Sequence, residues 1–473
     1  MKVLFASSEA YPFAMSGGLA DVAGALPKAL RRRLIGCRIV MPLYSSIPEE
    51  LKAKMSFICS ITVSVAWRRQ YCGIFEAHLN GVIYYFIDNQ YYFKRDGLYG
   101  QYDDAERYAF FSRAVLDIIP HIGFTPDIIH CNDWQTALVP VYLNSMYRGS
   151  DPYRAIKTVF TIHNIQYQGK YGPDLNADVV GLPAECESLI EYDGCVNFMK
   201  GAIQCADKVT TVSPTYANEI LDPYYSYGLD NILKQFTYKL TGIVNGIDYE
   251  VYNPETDNLI YKNYSVDDMS GKAYNKKMLQ QELGLPAREE VPVVGMVTRL
   301  VKHKGIDLVK CVFEDLLRAD IQFVILGSGE WEFETFFHDM ASKHRDKVGL
   351  KLGFNPRLAH KIYAGADMFL MPSKSEPCGL AQLVALRYGT VPIVRKTGGL
   401  NDTISDSGDG EGNGFTFSNY NAHEMLDTVW RALAGYSDKD GWDILRARAM
   451  SCDNSWGVSA GAYIRLYREL AGK

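Results

Sequence analysis

The chain lacks the marks of three classes of protein. Its 473 residues carry a formal net charge of −6 and no basic run, which argues against nucleic acid and anionic membranes as partners. No apolar stretch approaches the roughly 20 residues of a membrane-spanning helix. The N-terminus also lacks a charged segment followed by an apolar one, so we expect no secretory signal and a cytoplasmic location.

Metal-ligand spacings are missing as well. The ten cysteines form no C-x-x-C pair, and the nine histidines show no H-x-x-x-H spacing. Many of the cysteines lie in apolar segments, where buried and reduced thiols are usual for a cytosolic protein. We therefore expect no disulfides and no structural metal.

Three common enzyme signatures are absent too. The sequence contains no P-loop motif G-x-x-x-x-G-K-[ST], no nucleophile elbow G-x-S-x-G, and no G-x-G-x-x-G loop after the first apolar strand. ATP hydrolysis, serine-type acyl transfer and nicotinamide-dependent dehydrogenation are therefore disfavoured.

What the sequence does contain is a regular alternation of short apolar runs and helical patterns, which is typical of parallel sheets in an α/β protein. A chain of this length suits two domains better than one core, and we predict a boundary near residues 245–255. Ligands of such sheets bind beyond the carboxyl ends of the strands, so a central cleft is the expected site. The predicted strands lie within residues 2–10, 37–42, 127–133, 158–164, 208–214, 241–246, 291–299, 322–329, 350–354, 368–373 and 391–396, with a hairpin around Asn80-Gly81.

Two similar glycine loops follow apolar strands. The first is MSGGLADV, residues 15–22, and the second is KTGGLNDT, residues 396–403. Backbone N–H groups at such strand-to-helix turns can bind anions, although the first loop carries Met15 and no lysine or arginine. Paired glycines are common in tight turns, so coincidence is an equally good interpretation.

Five polar side chains also follow predicted strands. Arg299 and Lys304 in TRLVKHKG could bind one pyrophosphate together. The alternative is that they belong to an ordinary solvated loop. Glu376 in SEPCGLAQL is predicted at a helix start, where it would accept hydrogen bonds from sugar hydroxyls or simply cap the helix. His163 is a candidate catalyst or a structural histidine. Asp133 is a candidate site residue or a helix N-cap.

An aromatic segment is open to two interpretations. The tyrosines of YYFKRDGLYGQYDD, residues 91–104, suit either a platform for a sugar or an ordinary packed loop.

Seven blocks in a fixed order give a more specific prediction. Across essentially its full length the chain resembles the bacterial glycogen synthases and plant starch synthases. This resemblance implies the α/β GT-B fold, in which two doubly wound, Rossmann-like domains face a central cleft. It implies domains over residues 1–248 and 249–454, and a helix over residues 455–473 that crosses back to the first domain and packs through Trp456, Tyr463 and Tyr467. The blocks are SGGLADV, HCNDWQTAL, TIHNIQYQG, IVNGID, TRLVKHKG, LAHKIYAGADMFLMPSKSEPCGLAQL and KTGGLNDT.

The resemblance implies a retaining hexosyltransferase of glycogen or starch biosynthesis. Such an enzyme transfers glucose from ADP-glucose to the 4-hydroxyl at the non-reducing end of an α-1,4-glucan such as glycogen, without a metal or other cofactor. Nucleic acid and membranes are not expected as partners. The alternatives are an enzyme of the same fold with another donor, such as UDP-glucose, or another acceptor, and a weakly active glucan-binding relative.

The resemblance also implies residue roles. Arg299 and Lys304 match residues that hold the pyrophosphate and stabilise the departing diphosphate. Glu376 matches a residue that holds the hydroxyls of the donor glucose, and His163 matches a residue beside the donor sugar. Asp21, Asp133 and Asn245 match residues that line the cleft. The implied donor-binding positions, which include an adenine contact at residue 354 and phosphate contacts from the N–H groups of residues 397–400, are Ser16, Gly17, Gly18, Asp21, Asn245, Phe354, Cys378, Gly379, Leu380, Thr397, Gly398, Gly399 and Leu400.

The chain departs from the family pattern at several positions. Met15 and Ser16 stand where the family usually has a lysine and a threonine, and Leu43 and Tyr252 replace a common lysine and tryptophan. The absence of the usual lysine at the Met15 position removes one charge-assisted hydrogen bond to the diphosphate, which costs about 1.5–3 kcal/mol.

The mechanism of retention is predicted from a missing carboxylate. Related retaining enzymes often carry E-x7-E, but the position eight residues after Glu376 is Val384. A double displacement through a second carboxylate is therefore poorly supported. We favour front-side attack, in which the leaving diphosphate helps to deprotonate the acceptor hydroxyl.

Overall fold

A computed structural model describes residues 1–472 of the chain. These residues form two compact units. The first contains Met1–Ile243 and the C-terminal segment that begins at Trp456, and the second contains Val244–Ser455.

Eighteen strands build the sheets. Twelve lie in the first unit: β1 (Lys2–Ala6), β2 (Gly36–Pro42), β3 (Ser56–Val65), β4 (Arg68–Leu79), β5 (Val82–Asp88), β6 (Ile128–Asn132), β7 (Lys157–Ile162), β8 (Lys170–Tyr171), β9 (Glu191–Tyr192), β10 (Cys195–Asn197), β11 (Lys208–Thr211) and β12 (Leu240–Gly242). Six lie in the second unit: β13 (Val293–Val297), β14 (Gln322–Gly327), β15 (Val348–Leu352), β16 (Met368–Met371), β17 (Val391–Arg395) and β18 (Phe415–Phe417).

The α-helices lie between these strands and after them. They are α1 (Gly18–Arg32), α2 (Glu49–Lys52), α3 (Gln90–Phe93), α4 (Asp104–Asp117), α5 (Leu138–Tyr142), α6 (Phe198–Cys205), α7 (Pro214–Glu219), α8 (Pro223–Ser226), α9 (Asp230–Gln235), α10 (Ser270–Glu282), α11 (Ile306–Leu316), α12 (Trp331–Lys343), α13 (Pro356–Gly365), α14 (Ala381–Arg387), α15 (Gly398–Thr403), α16 (Ala422–Ser437), α17 (Lys439–Ser451) and α18 (Trp456–Ala471).

The first unit is built on a nine-stranded sheet in the order β12-β11-β7-β6-β1-β2-β5-β4-β3. The strands are parallel except at the β3–β4 and β4–β5 pairs, which are antiparallel. Leu79 pairs with Val82 around the predicted Asn80-Gly81 turn, and both turn residues have positive φ, as a two-residue hairpin requires. The strand order reverses between β1 and β6, so ligands are expected beyond the carboxyl ends of these two strands.

The second unit is built on a six-stranded, fully parallel sheet in the order β15-β14-β13-β16-β17-β18. This is the doubly wound order 3-2-1-4-5-6, and its switch point lies between β13 and β16. Its central strands are almost entirely buried, which explains why they are continuous apolar runs rather than alternating ones. The α/β class with parallel sheets is therefore confirmed.

The C-terminal helix α18 belongs to the first unit, as predicted. It packs on α1, and Trp456, Tyr463 and Tyr467 are all buried. The hydroxyl of Tyr467 lies 2.6 Å from Nδ1 of His130, a fully buried residue of the central strand β6. This contact fixes the helix to the middle of the sheet.

The polar stretch 253–280 is part of the second unit. Helix α10 buries the side chain of Lys272, whose Nζ donates to the carbonyls of Tyr388 at 2.9 Å and Ala364 at 3.2 Å. Lys276 pairs with Asp367 at 2.8 Å. Buried lysines of this kind are tolerated because their donors have partners.

Two absences can be stated for residues 1–472. None of the helices there combines the length and the apolar composition that crossing a membrane requires. All ten cysteines lie in this range and are free thiols.

Candidate active site

The switch point of the first unit brings Asp133 to His163. Asp133 follows β6 with φ of +55°, a strained value for a residue other than glycine. Asp133 is the N-cap residue of the short helix that follows, as the alternative predicted, but its carboxylate accepts no capping hydrogen bond. Instead, Oδ1 accepts a hydrogen bond of 2.7 Å from the backbone N–H of His163, just after β7. The strained turn thereby ties two neighbouring strand ends together.

The ring of His163 is held in one tautomer by Asn132. The amide Nδ2 of Asn132 donates to the carbonyl of Ala6 at 3.0 Å, so Oδ1 is its acceptor. Nε2 of His163 lies 2.9 Å from that oxygen and must therefore carry the proton. Burial lowers the pKa of His163 to about 3. The imidazole is neutral at pH 7, and Nδ1 keeps its lone pair.

The first glycine loop binds a carboxylate of its own chain. Oε2 of Glu9 accepts a hydrogen bond of 2.5 Å from the N–H of Ser16, and the N–H of Gly17 also donates to this carboxylate. These two groups are therefore occupied, and a phosphate cannot use them while Glu9 stays in place. A Cβ at Gly17 or Gly18 would meet nothing within 4 Å, so the loop is open on its outer side. The sequence prediction missed Glu9, an acid that follows the end of β1 by three residues.

The carboxyl groups of Glu9, Asp21 and Asp133 have strongly raised pKa values. Burial raises the pKa of Glu9 to about 7, and the nearby charge of Asp21 adds to the shift. Burial also raises the pKa of Asp21 to about 6 and that of Asp133 to about 7. No lysine or arginine within residues 1–472 forms an ion pair with any of the three carboxyl groups. Met15, at the usual lysine position, is 48% exposed and brings no charge.

Asp133 gives a prediction about the pH dependence of stability. Because folding raises the pKa of this carboxyl from 3.8 to about 7, the folded state holds a proton that the unfolded state releases, and stability falls as the pH rises between these values. Asp133→Asn keeps the acceptor for His163 and removes the charge. We expect the substitution to raise Tm by about 2–4 °C at pH 8 and by less at pH 5, measured by calorimetry. An equal change at both pH values would contradict it.

The switch point of the second unit brings Lys304 to Glu376. Nζ of Lys304 lies 2.6 Å from Oε2 of Glu376, and the two side chains are 19% and 8% exposed. The hydroxyl of Ser373 donates to the same oxygen at 2.9 Å. Both bonds fall on Oε2, so Glu376 is held in one orientation with its second oxygen available to a ligand. Ser373 was not singled out from the sequence, where a serine in a loop gives no specific signal.

Close packing of two loops explains this pairing. Gly305, at φ of +77°, comes so near the carbonyl of Pro372 that a Cβ would lie 2.0 Å from that oxygen. The N–H of Lys374 donates to the carbonyl of His303 at 2.9 Å. The loop after β13 and the loop after β16 are thus packed against each other next to the residues of the ion pair.

Glu376 lies in a loop and not at a helix start. Helix α14 begins only at Ala381, and no side chain caps it, so the expected position at the helix start and the capping alternative are both wrong. Gly379 has φ of +72°, which keeps the segment before Leu380 from joining the helix.

Arg299 shares the carboxyl end of β13 with Lys304. Its guanidinium is exposed, and Nη2 lies 3.4 Å from Nε2 of His303. Burial lowers the pKa of His303, and the charges of Lys304 and Arg299 lower it further. His303 is therefore a neutral acceptor that orients the guanidinium while leaving its charge uncompensated.

The second glycine loop, residues 397–400, packs against the Glu376 segment. A Cβ at Gly398 would lie 1.9 Å from the carbonyl oxygen of Glu376, and one at Gly399 would lie 2.1 Å from that of Cys378. The N–H of Gly399 donates to the carbonyls of Glu376 and Pro377, both at 3.1 Å, and that of Leu400 donates to Thr397 at 3.1 Å. Both N–H groups are thus engaged within this unit. The glycines let the loop support Glu376.

The remaining predicted positions lie in the same unit. Asn245 is 6% exposed, and within the described chain its buried Oδ1 has no hydrogen-bond partner, as expected of an atom that awaits a ligand. Burial raises the pKa of the Cys378 thiol to about 12. Phe354, just after β15, is 81% exposed, so its ring is available for stacking.

Comparisons with known proteins decide the family. Residues 2–235 match the family "Starch synthase catalytic domain", and residues 280–443 match "Glycosyl transferases group 1". The chain is 53% identical to the glycogen synthase of Geobacillus thermodenitrificans over 100% of its own length and 98% of that relative. It belongs to the glycogen and starch synthase family. The resemblance carried by the seven sequence blocks is confirmed, and the chain is a glycosyltransferase.

Further relatives agree with this family. A glycogen synthase of Bacillus cereus is 52% identical over 99% of this chain and 100% of its own length. Among solved structures, the catalytic domain of starch synthase IV from Arabidopsis thaliana, bound to ADP and acarbose, matches with a TM-score of 0.92 and 35% identity, covering 100% of this chain and 99% of that one. This likeness confirms the GT-B fold for this member of the glycogen and starch synthase family. A sucrose-phosphate synthase from Thermosynechococcus elongatus, at TM-score 0.63 and 17% identity, shares the fold.

Proposed function

We propose that the protein is a glycogen synthase that transfers glucose from ADP-glucose to the non-reducing-end 4-hydroxyl of an α-1,4-glucan, with retention. One observation carries the proposal: the ion pair of Lys304 and Glu376, with Arg299 beside it, lies at the switch point of a sheet in a member of the glycogen and starch synthase family. Positive charge for a diphosphate and a carboxylate for sugar hydroxyls thus occur together where a doubly wound sheet binds its ligand.

The charges of the second unit suit the departure of a diphosphate. As the bond from the anomeric carbon to the diphosphate breaks, negative charge grows on the diphosphate oxygens. Arg299 and Lys304 supply fixed positive charge for it, and such preorganised charge is an effective form of catalysis. Glu376 accepts hydrogen bonds from the sugar hydroxyls through the oxygen that Lys304 and Ser373 leave free. Phe354 offers its ring to the adenine.

The first unit supplies groups for the sugar. His163 is neutral, and its Nδ1 can accept a hydrogen bond from a hydroxyl, because Nε2–H is engaged by Asn132. Asp133 fixes the backbone of His163. Neither His163 nor Asp133 is placed as a nucleophile for the anomeric carbon. We therefore retain front-side attack, in which a diphosphate oxygen takes the proton of the acceptor hydroxyl.

A donor panel tests the proposal. We expect the purified protein to elongate glycogen with ADP-glucose at a kcat/KM well above those with UDP-glucose and GDP-glucose, measured with radiolabelled donors. A preference for UDP-glucose would instead support the second candidate, an altered donor, for which the neutral Met15 is the supporting observation. Transfer with none of the three donors would overturn both.

Met15→Lys tests whether the first loop contacts the donor. A lysine at this position restores one charge-assisted contact, so we expect the KM for ADP-glucose to fall by about 10-fold or more. Met15→Leu is the matched control, because it keeps the size and lacks the charge. An unchanged KM in Met15→Lys would show that the loop does not touch the diphosphate.

A further inference from the structure

A row of four polar side chains lies in the core of the first unit, away from the groups assigned to the reaction above. The row consists of Tyr467 on α18, His130 on β6, Thr161 on β7 and Thr210 on β11, and each of these residues is fully buried. Burying a polar side chain costs free energy unless it is hydrogen-bonded. Apolar side chains would fill the same space at no such cost, so we looked for what the row, which we call the polar row, holds in place.

Short hydrogen bonds join the neighbours in the polar row. Nδ1 of His130 lies 2.6 Å from the hydroxyl of Tyr467, and Nε2 lies 2.6 Å from Oγ1 of Thr161. Oγ1 of Thr161 in turn lies 2.6 Å from Oγ1 of Thr210. The polar row therefore runs from the C-terminal helix across three adjacent strands of the nine-stranded sheet.

Tyr467 fixes the positions of the protons in the polar row. Its hydroxyl has no other hydrogen-bond partner among residues 1–472, so it donates its proton to Nδ1 of His130. Burial lowers the pKa of His130 to about 3, and the neutral ring carries its one proton on Nε2, from which it donates to Thr161. Without the tyrosine hydroxyl, Nδ1 would be a buried acceptor without a donor.

Two routes connect the polar row to the ring of His163. The carbonyl of Thr161 accepts a hydrogen bond of 2.9 Å from the N–H of Asp133, whose carboxylate in turn binds the N–H of His163. The carbonyl of His130 accepts a hydrogen bond of 3.3 Å from Nδ2 of Asn132, whose Oδ1 holds Nε2 of His163 at 2.9 Å. Both the backbone and the ring of His163 are thus held by partners of the polar row.

We propose that Tyr467, His130 and Thr161 are positioning residues for His163. Hydrogen bonds are directional, so the polar row fixes the carboxyl ends of β6 and β7 against α18 more exactly than apolar packing would. The proposal rests on the proposed function, in which Nδ1 of His163 accepts a hydrogen bond from a sugar hydroxyl. Because small displacements of such a group lower the rate of a reaction strongly, changes in the polar row should reach the transfer.

Kinetics of conservative variants test the proposal. Tyr467→Phe and Thr161→Val each remove one hydroxyl and keep nearly the same shape. We expect kcat to fall by about 5- to 50-fold with little change in the KM for ADP-glucose. Tyr142→Phe is the matched control, because Tyr142 is also fully buried in the first unit and donates to the carbonyl of Val180 at 2.9 Å. This variant should lose stability but keep its kcat.

A double variant separates positioning from general damage. If the polar row acts through His163, adding Tyr467→Phe to His163→Ala should change kcat by less than about 2-fold, because the ring to be positioned is already absent. Thr161→Val in the same background repeats the test should Tyr467→Phe fail to fold. A loss in the His163→Ala background equal to the loss in the wild-type background would overturn the proposal.

Nitrogen NMR of protein with isotope-labelled histidine adds a readout that needs no donor. The ring signals of His163, identified by their absence in His163→Ala, should shift in Tyr467→Phe and Thr161→Val but not in Tyr142→Phe. Unchanged His163 signals in both variants would overturn the proposal, whichever donor the enzyme uses. Shifted signals with an unchanged kcat would support the positioning and contradict the role that the proposed function gives to His163.

Discussion

Glu376→Ala should lower glucosyl transfer by about 10²–10³-fold while leaving the protein folded. The substitution removes the carboxylate that accepts bonds from Lys304 at 2.6 Å and Ser373 at 2.9 Å. It thus removes the acceptor proposed for the sugar hydroxyls and the group that fixes the lysine. Because the sugar is held both before and during the transfer, we expect a raised donor KM together with a reduced kcat.

Two further variants sharpen this test. Glu332→Ala is the matched control, since Glu332 forms a comparable pair of 2.5 Å with Lys310 on the surface of the same unit, and its activity should stay close to that of the wild type. Glu376→Gln keeps the shape of the side chain but loses the charge. Its rate of glucosyl transfer should therefore lie between the rates of Glu376→Ala and Glu332→Ala. Near wild-type rates in Glu376→Ala, with a normal thermal melt, would refute the role given to this residue.

Much of the fold could be predicted because buried parallel strands are continuous apolar runs. The predicted runs around β1, β6, β13 and β16 all form central strands. Strand β3 was missed because most of its residues are partly or fully exposed and lack an apolar run. Strand β18 was missed because it has only three residues.

The two glycine loops show where a shared motif misleads. In sequence MSGGLADV and KTGGLNDT are alike, and both precede a helix. In the structure Gly17 and Gly18 face open space, whereas Gly398 and Gly399 are pressed against the carbonyls of residues 376 and 378. The difference depends on neighbours that are distant in sequence, so the motif alone could not reveal it.

The charged residues of the candidate site could be predicted from the sequence, but their hydrogen-bond partners could not. Arg299, Lys304 and Glu376 were predicted because each follows an apolar strand, and doubly wound sheets bind their ligands beyond the carboxyl ends of such strands. Glu9 and Ser373 act through hydrogen bonds whose partners are fixed by how loops pack. Asp133 was considered as an N-cap, but its positive φ turns the carboxylate toward the next strand. The residue type alone does not predict this backbone conformation.

Lys304→Ala should be as damaging as Glu376→Ala, for a different reason. Lys304 places a fixed positive charge directly beside Glu376, and we propose that it stabilises the charge that develops on the leaving diphosphate. Removing such a group costs about 10²–10³-fold in kcat. If the lysine acts mainly in the transition state, kcat and kcat/KM should fall together while donor KM changes little. Rapid-quench measurement of a single turnover separates this loss from any slow release of product.

The pairing itself gives the decisive control. Each single variant leaves the other side chain without its partner, so the double variant Lys304→Ala/Glu376→Ala should be far less impaired than the product of the two single effects, as a double-mutant cycle would show. Lys310→Ala, which breaks the surface pair with Glu332 in the same unit, should retain nearly full activity. If the two losses at Lys304 and Glu376 multiply independently, the two residues do not act as a unit, and the ion pair is then a structural contact without a part in the transfer.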